Sequence, residues 1–173
     1  MSLIYRHDDG ELIKMKHMTI NGIGGKVHYW ISRPNNNSKG ALVFTHGLTA
    51  NHTMYEKQVE YFKNDYVVIT WDVPLHGLSI PYKEFSYEIT ARDLNSILLQ
   101  ESIGKVCLIG MSMGGYPSQM LAYLYPEKVQ CFVGIDTTPF RTEYYSRSDL
   151  WWLSKVKKMA KWFPDKTLRK SMA

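Results

Sequence analysis

Cysteine is scarce in this chain: among 173 residues there are two, Cys107 and Cys131. Their spacing fits no zinc pattern and no C-x-x-C redox motif. Each sits in a short apolar run, KVCLIG and VQCFVGI, where a buried free thiol is the expectation, and a reducing cytoplasm fits that state. Long hydrophobic runs are also lacking. No segment approaches the ~18 apolar residues of a membrane span, and the opening MSLIYRHDDGELIKM has no apolar core of signal-peptide length. A cytoplasmic protein with no membrane span is the expectation. Repeats and low-complexity tracts are absent, which excludes solenoids and disordered tails. Charge of one sign is confined to one place: residues 1–148 hold 14 basic and 14 acidic residues, whereas 149–173 hold 7 and 2. The net charge of +5 is therefore a property of one end. It does not mark a nucleic-acid partner, which needs a basic face tied to a reading motif. Histidine, finally, is confined to the first half: His7, His17, His28, His46, His52 and His76, with none beyond.

What is present reads as alternating strands and helices. HMTI and VHYWIS flank NGIGG, a β-hairpin pattern with residues that tolerate positive φ at its turn. ALVFTHG, DYVVITWD, KVCLIGMS and VQCFVGID are short apolar runs suited to buried parallel strands. Between them, residues 52–63 carry Met54, Tyr55, Val59 and Phe62 at helical spacing, and residues 86–101 carry Ile89, Leu94, Ile97 and Leu98. Ser86 reads as the N-cap of the second helix and Gly104 as its stop. MGGYPSQMLAYLYP reads as a third helix. Such alternation predicts an α/β fold, a mostly parallel sheet with helices on both faces. Residues 1–140 are assigned to that core. Residues 141–173 change character, with Trp152, Val156, Met159 and Phe163 on one helical face and Lys155, Lys158 and Lys161 elsewhere; they are expected to begin a lid or cap insertion.

The chemistry centres on Gly110-Met111-Ser112-Met113-Gly114. Alone, G-x-S-x-G is a weak signal. Here a strand precedes it and a helix follows, which is the context a nucleophile elbow requires. A sharp strand-to-helix turn needs small flanking residues and lifts the serine hydroxyl clear of the sheet. Upstream, VFTHGL ends another strand at His46-Gly47. Acyl transfer needs two N–H donors on the developing oxyanion, and Leu48 and Met113 are the candidates, one after each turn.

With THGL, WDVPLHGLS and GMSMGG in this order and spacing, the chain resembles α/β-hydrolase-fold enzymes with an HG oxyanion motif, over about residues 15–140. That group includes carboxylesterases, monoacylglycerol-lipase-like enzymes, C–C bond hydrolases and cofactor-free haloperoxidases. The resemblance implies Ser112 as nucleophile, Leu48 and Met113 as the oxyanion hole, a small-molecule ester or acyl substrate, and no metal or organic cofactor. It also implies that His46 and His76 order loops and do not act as bases.

Two departures stand out. The loop Asp72-Val73-Pro74-Leu75-His76-Gly77-Leu78-Ser79 lacks the arginine and first glycine of the usual D-x-R-G-x-G-x-S, which bears on local packing. More seriously, the triad order of this fold is Ser, then acid, then His, and no histidine follows Ser112. Asp136, closing VQCFVGID, is a candidate acid; the simpler expectation is that it caps the entry to the lid. The sequence is thus expected to be C-terminally truncated, lacking the later strands and exposing a sheet edge that invites self-association. Two functions remain: a serine hydrolase of carboxylic esters, incomplete as given, or a non-catalytic remnant or interaction module of the same fold.

Overall fold

A computed structural model describes residues 2–6, 12–151 and 155. The chain divides into two compact units, Met1–Thr138 and Pro139–Ala173.

The first unit is built on a seven-stranded sheet of order β1-β2-β3-β5-β4-β6-β7. Its strands are β1 (Ser2–Arg6), β2 (Leu12–Asn21), β3 (Lys26–Ser32), β4 (Ala41–Thr45), β5 (Val67–Trp71), β6 (Val106–Met111) and β7 (Val129–Ile135). The half β5-β4-β6-β7 is parallel, and β3, β2 and β1 extend it antiparallel. β4 and β5 are buried along their whole length, as uninterrupted apolar runs require when both sheet faces are covered. The β2–β3 hairpin closes over Gly22–Gly25 with the Gly22 N–H donating to Gly25 O at 2.8 Å. β1 adds a strand that hydrophobic patterning does not reveal.

Helices pack on both faces. α2 (Tyr87–Gln100) and α3 (Gly115–Leu124) cover one, burying Ala91, Leu94, Ile97, Leu98 and Leu121 against Val43, Ile69, Trp71 and Leu108. α1 (Glu56–Phe62), entered through a 3-10 turn at His52–Tyr55, covers the other; there Tyr55 and Val59 meet Trp30, Leu42, Phe44 and Val68. The Ser86 side chain accepts from Ile89 N–H and caps α2. The stop is not Gly104. Ser102 takes the left-handed position at φ 56°; its N–H donates to Leu99 O and that of Ile103 to Leu98 O. This is the Schellman arrangement, which satisfies the last carbonyls two residues earlier than the glycine. A buried clasp ties the hairpin turn to α2 and the loop before it: Asp93 accepts from Ile23 N–H at 3.0 Å and from the Tyr82 hydroxyl.

The cysteines correct the free-thiol expectation. Cys107 and Cys131 are joined as a disulfide, their Cα atoms 4.5 Å apart. They are register partners on β6 and β7, so one face of the sheet presents both sulfurs to each other. Nor are both buried: β7 is the last strand among the described residues, and Cys131 is exposed.

In the second unit, residues 147–151 are helical. Ser146 caps them, its Oγ accepting from Asp149 N–H while the Asp149 carboxylate accepts from Ser146 N–H, a reciprocal pairing of the capping-box kind. The predicted stripe Trp152, Val156, Met159 and Phe163 lies outside the described residues.

Candidate active site

Ser112 stands at the C-terminal edge of β6, exposed, with φ 49°. That left-handed backbone is costly for a residue with a side chain and persists only where its surroundings over-determine it. Three glycines do so. A β-carbon on Gly110 would lie 2.5 Å from Gly114 O, one on Gly114 2.6 Å from His46 O, and one on Gly115 2.7 Å from Thr137 Cβ. Each distance is closer than packed atoms come, so the turn can form only with hydrogen at those positions. Ser118 Oγ donates to Gly114 O, and Thr137 Oγ1 donates to Ser112 O at 2.8 Å. Both hold the turn from its back.

The His46-Gly47 turn lies alongside. A β-carbon on Gly47 would sit 3.8 Å from Ser112 Cβ and 3.7 Å from Met111 O, and one on Gly114 would collide with the His46 carbonyl, so this turn runs beside the elbow. Leu48 follows, its side chain exposed, while Met113 is buried at the foot of α3. Both residues therefore flank Ser112.

His46 is fully buried. Its Nε2 accepts from Val73 N–H at 3.1 Å, so its Nδ1 is the donor to Gly47 O at 2.7 Å. Burial pushes this imidazole down to about 4, against the opposing pull of the Gly47 carbonyl. It is a neutral strut between the two loops. His76 lies 5.1 Å from His46, ring centre to ring centre, and its Nε2 meets Leu48 O at 2.6 Å.

Asp72, also fully buried, is the hub of the loop after β5. One carboxylate oxygen takes His52 N–H and His52 Nδ1, each at 2.8 Å; the other takes Leu78 N–H at 2.7 Å. Burial alone would raise its pKa, but these donors outweigh burial and hold it below the usual carboxylate range. Gly77 is at φ 49°, and a β-carbon there would lie 2.7 Å from Asp72 Oδ1. The hub therefore replaces whatever order the missing arginine would have supplied. His52 stacks on Trp30 at 3.4 Å and Trp30 on His17 at 4.7 Å; His17 in turn meets His28 at 2.9 Å. His7 lies outside the described residues. Among the described residues, no imidazole nitrogen hydrogen-bonds the Ser112 hydroxyl, and no group of three or more His, Cys, Asp or Glu is placed to hold a metal ion.

Asp136 is brought to the same edge. Met111 and Ile135 are register partners, so Ser112 and Asp136 leave adjacent strands side by side. Asp136 shares the left-handed backbone, at φ 47°, and is exposed. Sequence reasoning missed this symmetry. Each cysteine lies five residues before the left-handed residue that ends its strand, a spacing that places the two sulfurs level. It also missed Thr137, which polar composition alone does not single out.

The profile of a family described as alpha/beta hydrolase fold matches residues 40–169. The chain is similar to 3-oxoadipate enol-lactonase 2 of Acinetobacter baylyi, 34% identical over 51% of this chain and 33% of the relative. It is similar to an sn-1-specific diacylglycerol lipase of Mus musculus, 33% identical over 59% of this chain and 34% of the relative. Its fold resembles a thermophilic esterase from Thermogutta terrifontis, with a TM-score of 0.62 at 24% identity, covering 74% of this chain and 48% of that one. The chain thus spans less than half the length of these relatives.

Proposed function

The chain belongs to the α/β-hydrolase fold family, and on that premise we propose that it is the Ser112-bearing part of a serine hydrolase of carboxylic esters or related acyl substrates. The observation that carries this is the left-handed, exposed Ser112 held between glycines whose β-carbons have no room. The hydroxyl oxygen attacks the acyl carbon. The N–H groups of Leu48 and Met113 take the negative charge of the tetrahedral intermediate, the alcohol leaves, and water opens the acyl-enzyme. N–H groups in the first turn of a helix have no partner within it, which is why Met113 at the foot of α3 suits that role. Asp136 is the candidate acid on the same edge.

The serine proton needs a base. His46 uses both ring nitrogens elsewhere and is kept neutral by burial. His76 faces the loop carbonyls of Leu48 and Pro74, the shorter contact being its Nε2 to Leu48 O, and His52 Nδ1 is engaged by Asp72. The base therefore comes from outside the residues described. Residues 141–173 are proposed to begin a lid insertion. Self-association through β7 is proposed as well, and nucleic acid is not a proposed partner. A cytoplasmic location sets a condition on the Cys107–Cys131 bond, since that compartment keeps most thiols reduced.

The second reading, a non-catalytic module of the same fold, is favoured by one observation: the lack of an imidazole at Ser112. Labelling with a fluorophosphonate probe separates the two. In a full-length parent that supplies the base, Ser112 is expected to be modified and Ser112→Ala to be blank; labelling that persists in the alanine variant removes Ser112 from the nucleophile role.

A further inference from the structure

We propose that Thr137 is a positioning residue for the oxyanion hole, aiming the Met113 N–H, a proposal that rests on Ser112 being the nucleophile and Met113 one of its donors. The carbonyl of Ser112 and the N–H of Met113 belong to one peptide unit. Such a unit is planar and trans, so its C=O and N–H point in opposite directions. Whatever grips the Ser112 oxygen from behind therefore sets where the Met113 N–H faces. One donor to that oxygen is the Gly115 N–H, as the chain turns into α3. Another is the Thr137 hydroxyl, at 2.8 Å. A carbonyl oxygen has two lone pairs. Held at one, the peptide plane can rock about the chain; held at both, it is fixed. Donors on the oxygen also polarise the unit and strengthen its N–H as a donor.

Thr137 is itself held. Asp136 before it turns the chain through a left-handed backbone at φ 47°. A β-carbon on Gly134 would lie 2.7 Å from Thr137 Cγ2, and one on Gly115 2.7 Å from Thr137 Cβ. The side chain thus lies against two glycines, where no bulkier neighbour fits, and branching at Cβ leaves it few rotamers. Thr138, next along, is tied to α3: its carbonyl accepts from Gln119 Nε2 at 2.9 Å, and its hydroxyl meets the Tyr116 hydroxyl at 2.9 Å. The second candidate donor is built the same way. Leu48 N–H shares a peptide unit with Gly47 O, and that oxygen takes His46 Nδ1–H at 2.7 Å and Ala50 N–H at 3.2 Å. Each candidate oxyanion peptide therefore has its carbonyl gripped by a side chain as well as by an amide.

The test uses the 173-residue chain with Thr137→Val, which keeps the shape and loses the hydroxyl, and Thr137→Ser, which keeps the hydroxyl. The probe is butylboronic acid, followed by boron NMR. Boron accepts a lone pair of Ser112 Oγ, the O–B bond forms, the serine proton passes to buffer, and no bond to boron breaks. The product is a tetrahedral anion with a hydroxyl facing the hole, and because boron is itself a Lewis acid it forms without a histidine. Isotope labelling of serine carbonyl carbons and methionine nitrogens gives paired signals only from Ser112-Met113 and Ser171-Met172; Ser112→Ala removes the first and so assigns it. Thr137→Val is expected to move the Ser112 carbonyl carbon upfield, as loss of a hydrogen bond on that oxygen does. It is also expected to weaken the adduct about tenfold, a fraction of the roughly 10²–10³-fold lost when an oxyanion donor is removed outright. Thr137→Ser is expected to restore both. An adduct equally tight in Thr137→Val leaves the nucleophile in place and overturns the role of Thr137. A weaker adduct with an unmoved carbonyl carbon overturns it too. Failure of Thr137→Ser to restore the adduct makes Thr137 a packing residue only. No adduct in the unsubstituted chain, or one that survives Ser112→Ala, removes Ser112 from the nucleophile role, and the oxyanion role of Thr137 falls with it.

Discussion

A methyl group is enough to test the elbow. Gly114→Ala places carbon 2.6 Å from the backbone oxygen of His46, and backbone cannot swing aside as a flexible side chain can. Overpacking of well-filled sites costs about 1–3 kcal/mol, and the clash here is with main chain. We expect a drop of at least that size in urea unfolding, with Ser112 labelling lost in whatever protein remains folded; an unchanged midpoint would show that the two turns are not in contact. His46 sets a pH dependence. Its folded pKa of about 4 lies below the ordinary 6.5, so the unfolded chain binds the proton first. Stability is then full above 6.5 and falls as pH drops from 6.5 toward 4, by on the order of 3 kcal/mol for that gap. Asp72, held below 3.8 by its donors, adds a further loss below the carboxylate range. Asp93, raised by burial, acts oppositely: its protonated form suits the fold, so it favours stability at the acid side of its own window. The check is unfolding free energy against pH, where His46→Gln is expected to flatten the slope between 6.5 and 4.

At the scale of elements, α2 offers a gain. Ser102 occupies a left-handed position that glycine adopts without strain. Its N–H bond to Leu99 O is main-chain and survives substitution. Ser102→Gly is expected to stabilise by about 0.5–1 kcal/mol, and Ser86→Ala at the other end to destabilise by about 1 kcal/mol. Thermal melts of both variants read the two signs. The cap at Ser86 was legible because an N-cap is local, a side chain three residues from its amide; the stop was assigned to Gly104 because glycine marks a left-handed site by default, and here serine takes it. The parallel strands and the elbow were legible for the same reason, since apolar runs and G-x-S-x-G lie within single segments. What could not be read were facts of pairing: β1 against β2, Cys107 opposite Cys131, Thr137 behind Ser112, and the reach of Asp72 to His52. Each depends on register between segments that no local pattern encodes.

At the scale of the molecule, the described sheet is buried on one side of the nucleophile and exposed on the other. β4 and β5 are buried throughout, whereas β7 is exposed along nearly its whole length. Among the described residues no strand pairs with its outer edge. On one face, Val133 at 48% and Ile135 at 40% exposure stand beside their half-buried register partners Ile109 and Met111. An unpaired row of N–H and C=O groups next to an apolar stripe recruits further chain. The 173-residue chain is therefore expected to self-associate, with a sedimentation coefficient that rises with concentration. It is also expected to turn over p-nitrophenyl esters near background, because Ser112 has no imidazole partner among the described residues. Val133→Lys sets a cation on the stripe without touching the buried core. It should return the chain to a monomer while shifting unfolding by no more than about 0.5 kcal/mol, as exposed substitutions do. Ester turnover should stay at background in that monomer, since no base has been supplied. A soluble monomer before substitution would show that β7 is covered by chain outside the described residues. A monomer with kcat in the ordinary enzymatic range of about 1–10³ s⁻¹ would require a base among the histidines assigned here to struts.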